Sequence, residues 1–131
     1  MISNTMINKD FNELTKLEKE LLQEVRIKIM AGFNSIIDYN GIDLTSSDED
    51  DFPLSDKQLE QISYSVSAGI YWESVKEYIK TALVPTKQEA WHDGELEEVW
   101  YKWELHYLPL EKMFKMFKEH HKKTQKELFG K

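Results

Sequence analysis

The chain has 131 residues, 40% of them apolar and 31% charged, no cysteine, and a formal net charge of −7. That length supports one core and a single domain over residues 1–131, but not two. The missing cysteines exclude a disulfide framework and a thiolate metal site. The negative balance, with Arg26 as the only arginine, disfavours direct nucleic-acid binding, because the arginine fork is the usual reader of base edges and phosphates.

Residues 1–9 hold no basic segment followed by an apolar run, so they read as a flexible N-terminus and not as a signal peptide. No stretch approaches the roughly 20 apolar residues of a spanning helix. We therefore expect no membrane span and a cytoplasmic setting. A first helix is predicted from about Asp10 to Tyr39. Asp10 and Glu13 have capping-box spacing, Phe11, Leu14, Leu21, Leu22, Val25, Ile29, Phe33 and Ile36 share one face, and Asn40-Gly41 is a stop. Ile27 falls on the opposite face.

Residues 42–54 read as an acidic loop carrying Asp48, Glu49, Asp50 and Asp51. A calcium loop begun at Asp43 would place Asp48 where glycine is required and Leu54 where a bidentate glutamate is required. A solvated, mobile loop is the better reading, with a protein-binding patch or a weak, unspecialised cation site as the alternatives. Ser55 and Gln58 then form an N-cap pair, with Leu54 and Leu59 placed to staple across it. The helix they start is expected to reach Leu83, just ahead of Pro85. Its uncharged middle, around Ser67, Ala68 and Gly69, suits close approach by a neighbour or a bend.

Thr86 with Glu89 resembles a further capping box, and Asp93-Gly94 a turn. From there one heptad register runs through Leu96, Trp100, Trp103, Tyr107, Leu110, Phe114, Phe117, His121, Thr124 and Leu128. That spacing predicts a long helix, kinked at Pro109 or broken there with Pro109 opening a separate last helix. The fold class expected from these elements is all-α: a bundle of four to five helices.

Chemistry-bearing motifs are weak. Glu89-x-x-His92 is half of a di-iron helix motif whose other half is absent. His120 and His121 would point about 100° apart on a helix and cannot share an ion. No nucleophile motif or glycine-rich phosphate loop occurs, so neither catalysis nor a cofactor is expected. Two signals remain. Acids and aromatics are interleaved from Trp91 to Tyr107, where Trp91 and Tyr101 are candidate anchors of a binding surface. Charge is also segregated, −11 over residues 1–108 and +4 over 109–131.

These features favour a non-catalytic acidic module that binds a basic protein partner, as small inhibitors and immunity proteins do, phage-encoded ones included. Its contacts would come from Asp48, Glu49, Asp50, Asp51, Trp91 and Tyr101, because negative charge speeds encounter with a positive target. The alternatives are a helical homodimer paired through the heptad seam, and a Glu/His metal-binding helical protein.

Overall fold

The structure is a computed structural model that describes residues 4–66 and 72–128. Among these residues the element order is α1 (Asn4–Ile7), a 3-10 turn (Phe11–Glu13), α2 (Lys16–Asn40), β1 (Thr45–Ser46), α3 (Asp56–Val66), α4 (Trp72–Ala82), β2 (Leu83–His92), β3 (Glu95–Leu105) and α5 (Leu110–Leu128). The chain is therefore mixed α/β, a helical layer carrying a three-stranded antiparallel sheet in the order β1-β3-β2. The all-α expectation is wrong.

Several helix ends form where their side chains dictate. Asp10 and Glu13 cap only the short 3-10 turn, the Asp10 N–H donating to Glu13 at 3.0 Å. The long helix starts after Thr15, whose hydroxyl accepts from the Glu18 N–H at 3.1 Å while Glu18 accepts from the Thr15 N–H at 2.9 Å. That backbone bond, and then Lys9, hold the Glu18 carboxyl below its usual range. Gly41 closes α2 in the left-handed conformation, φ 60°, where a side chain would crowd the carbonyl. Ser55 and Gln58 exchange the reciprocal pair at the start of α3 (2.9 and 3.1 Å), and Leu54 and Leu59 are both buried beside it.

The N-terminal expectation also changes. Met6 and Ile7 are buried, α1 packs on α5, and the Lys118 ammonium donates to the Lys9 carbonyl at 2.6 Å. The single helix expected from Ser55 to Leu83 is observed as α3 and α4; Ser67, Ala68 and Gly69, with the bend expected there, lie outside the described residues.

The large correction concerns residues 83–109. Thr86 and Glu89 cap nothing, because β2 runs through both. Glu95 to Leu105, assigned to the heptad helix, is β3. Asp93 and Gly94 join the strands as a two-residue loop with φ of 50° and 81°. Positive φ at both positions is the type I′ geometry whose twist matches a hairpin, and Asp-Gly is among its preferred sequences. Gly94→Ala should therefore cost about 1–2 kcal/mol, the penalty for a left-handed alanine, measured by urea unfolding. An unchanged midpoint would refute the strain argument.

Pro109 does not kink a helix. It precedes α5, and its carbonyl accepts the first helical bond, from the Met113 N–H at 3.1 Å. The heptad spacing survives only inside α5, where Phe114, Phe117 and His121 are buried. That basic helix packs internally, against α1, α2 and α4.

Sheet and helices are joined by Tyr78, which is wholly buried on α4. Its hydroxyl accepts from the Leu108 N–H at 3.1 Å and donates to the His106 carbonyl at 3.3 Å. Burial pushes its phenol pKa up, the Leu108 N–H opposing. Arg26 donates to the Leu108 carbonyl at 2.7 Å and lies 5.0 Å from the Tyr107 ring centroid. The one arginine is thus committed to holding the segment between β3 and α5.

Candidate protein-docking surface

Backbone alternation decides which groups of the hairpin face where. The Trp103 N–H donates to the Leu44 carbonyl at 2.8 Å, so odd-numbered residues at that end of β3 direct their backbone groups toward β1 and even-numbered ones toward β2. Pro85, opposite Trp103, therefore needs no N–H for the β2-β3 ladder, which is why a proline is tolerated there. Leu83, Trp103 and Leu105 are buried at the hairpin base. Exposure then rises along the strands, and every residue from Trp91 to Glu98 is exposed.

The tip is acidic. Glu89, Asp93, Glu95, Glu97 and Glu98 lie there, with no lysine or arginine between Lys87 and Lys102. A register shift at Ala90/Trp91, where Trp91 faces Leu96 and Ala90 faces Glu98, leaves Glu97 as the bulged residue of β3. Trp91 is 60% exposed, its indole N–H donating to Glu89 at 3.1 Å, and Leu96 opposite it is 45% exposed.

The acidic loop meets β3 on the other side. Thr45 and Ser46 pair with Lys102 and Tyr101, and Asp48 follows two residues later. The loop is a shaped turn: the Asp48 carbonyl accepts from the Ser46 hydroxyl (2.8 Å) and the Asp51 N–H (3.1 Å), and its carboxylate from the Asp50 N–H (2.9 Å). The four acids remain exposed. Trp103 anchors this arrangement, its indole N–H donating to Ser46 at 2.8 Å and its ring meeting Phe52 edge-on at 5.5 Å. Below β1 the same edge opens into a cleft of about 510 Å³ lined by Ile37, Ile42 and Leu44, with Asp38, with Asp43 held by Thr45, and with Glu104 paired to Lys102 at 4.0 Å.

Six residues were singled out from the sequence. The structure brings Asp48, Glu49, Asp50, Asp51 and Tyr101 to one sheet edge. Trp91 stands apart on β2: Tyr101 faces Lys87, four strand positions away, about 13 Å at ~3.3 Å per residue. Ile27 is 46% exposed on the far side of α2. Leu96 and the cleft are not legible in the sequence, because a seam assignment buries Leu96, and Glu104 is distant in sequence from Asp38 and Asp43. Glu89 and His92 sit on opposite faces of a strand, Glu89 engaged by Trp91 and Lys87 and His92 by Asp93 at 3.1 Å.

Comparison with protein-family models, with curated proteins and with solved structures returns no match. No described helix is long and apolar enough to cross a membrane.

Proposed function

We propose that this protein is a non-catalytic acidic binding module of the inhibitor or immunity type, which occupies a basic site on a protein target such as a nucleic-acid enzyme. One observation carries the reading: the four loop acids follow β1 beside Tyr101, and Glu98, Glu97 and Glu95 continue along β3 from there to the tip. Such an edge steers a positive partner over distance and supplies charged rim contacts on arrival. Tyr101 adds apolar contact beside the loop, and Leu96 with Trp91 opposite it adds apolar contact at the tip of the hairpin.

The experiment is affinity capture from a lysate of the source cell at low and high salt, with the wild type and with a D48N/E49Q/D50N/D51N variant as bait. The wild type should retain one stoichiometric, basic protein, more weakly at high salt. The variant should fold normally, bind that protein about tenfold or more weakly, and show a flatter salt dependence. Equal affinity and equal salt dependence of the two baits would refute the steering role of the loop.

A further inference from the structure

The acidic edge lies on the β1 side of the sheet, whereas no described strand pairs with the outer side of β2, the other edge; Leu83 at its base is buried, and Lys87, Glu89 and Trp91 are exposed. The bulge is confined to β3, so β2 alternates regularly. Its inward groups belong to Val84, Thr86, Gln88, Ala90 and His92, and its outward groups to Pro85, Lys87, Glu89 and Trp91. An unpaired edge of this kind is a template for another strand. Lys87 and Glu89 leave β2 on the same face, their side chains 3.3 Å apart, and Trp91 continues that face.

We propose that two copies of this chain pair antiparallel along β2, about a two-fold axis at Gln88, to form one continuous sheet. This register places Lys87 opposite Glu89 of the second copy, and Glu89 opposite its Lys87. The two intrachain ion pairs thereby merge into one alternating network. It also places Trp91 opposite Pro85 of the second copy, on the same face, so the exposed indole gains a flat apolar surface at the partner's hairpin base. Each of the outward N–H groups of Lys87, Glu89 and Trp91 finds a carbonyl, and Pro85, which has none to donate, sits at the end of the paired segment.

Charge selects this arrangement over its rivals. Parallel pairing would set the two acidic tips side by side, where like charges on neighbouring strands repel. Antiparallel pairing sends the tips in opposite directions. Self-pairing through β3 is opposed by Glu95, Glu97, Glu98 and the bulge, all devices that protect an edge. The β2 contact covers Trp91 but leaves the acidic loop and the β3 glutamates exposed, so a dimer would present two acidic edges at once and forms without any basic partner.

The test is molecular mass in solution by light scattering and sedimentation over a concentration series. The wild type should move to twice the chain mass as concentration rises. Glu89→Pro removes an outward N–H without touching the β2-β3 ladder and should leave a folded monomer by circular dichroism. Lys87→Glu and Glu89→Lys should each weaken self-association about tenfold or more, while an equimolar mixture of the two restores a dimer, because each Glu-Glu strand then faces a Lys-Lys strand. The mixture isolates the contact between copies, since the intrachain pair is lost in both variants. A wild type that stays monomeric at the highest concentration reached, or a dimer indifferent to Glu89→Pro and to the charge changes, would overturn the proposal.

Discussion

Trp103→Ala should lower global stability by about 3–5 kcal/mol, the range for truncating a large buried aromatic, and should release the acidic loop as well. The ring is 6% exposed, carries the hydrogen bond to Ser46, and meets Phe52 edge-on. Its removal takes away the apolar support beneath β1. Amide exchange should therefore quicken from Leu44 to Phe52 by more than the global loss alone accounts for. Ser46→Ala separates the two contributions. It removes the hydroxyl that accepts from the Trp103 indole and donates to the Asp48 carbonyl, and should cost about 2 kcal/mol for the two hydrogen bonds while the core stays filled. Slow exchange of the loop in Trp103→Ala, relative to global opening, would show that its own turn holds it. On the proposed docking role, partner binding should weaken too, because a loop with freed acids loses its fixed arrangement.

Tyr78→Phe changes one atom and should cost about 1–3 kcal/mol, the desolvation penalty of buried polar groups left unpaired. The phenol oxygen is at once acceptor for the Leu108 N–H and donor to the His106 carbonyl, and phenylalanine supplies neither. The segment it holds reverses the chain from β3 into α5, so the loss should appear as faster exchange at Leu108 ahead of the helices. Chemical denaturation with matched m-values would measure it. A variant within about 0.5 kcal/mol of the wild type, the ordinary range of surface substitutions, would mean that other partners take over both groups.

The helices were legible where a local motif specifies them. Thr15 and Glu18 were passed over for Asp10 and Glu13, yet Gly41, Ser55 with Gln58, and the Leu54–Leu59 staple lie where their chemistry puts them. The hairpin was misread for a physical reason. Between Leu96 and Leu105, apolar residues satisfy a period of 3.5 through Leu96, Trp100 and Trp103, and a period of 2 through Val99, Tyr101, Trp103 and Leu105. Periodicity cannot choose between these over so short a span. Two other signals favoured the strand: the density of Val, Trp and Tyr, which suit a pleated surface, and Asp93-Gly94, a hairpin loop as well as a turn. Pro109 pointed the same way, since a proline before a helix is ordinary and one inside it is costly.

The candidate surface divides along the same line. Charge, the acidic run at 48–51 and the aromatic-acidic stretch from Trp91 onward are properties of composition, and they survive any error in secondary structure. Their grouping is not. Asp48 and Tyr101 are brought together because β1, two residues long, pairs with β3, and Trp91 is carried away because it lies on β2 near the tip. The acidic character, the end of α2 at Gly41, the cap of α3 and the absence of thiol chemistry are readable from the chain alone, since each depends on residues adjacent in the chain or on a sum over all of them. That Leu83–His92 and Glu95–Leu105 are strands, and which acids share an edge, follows from long-range pairing. Strand pairing is a contact between distant segments, and its hydrogen bonds and register depend on partners that no local window contains.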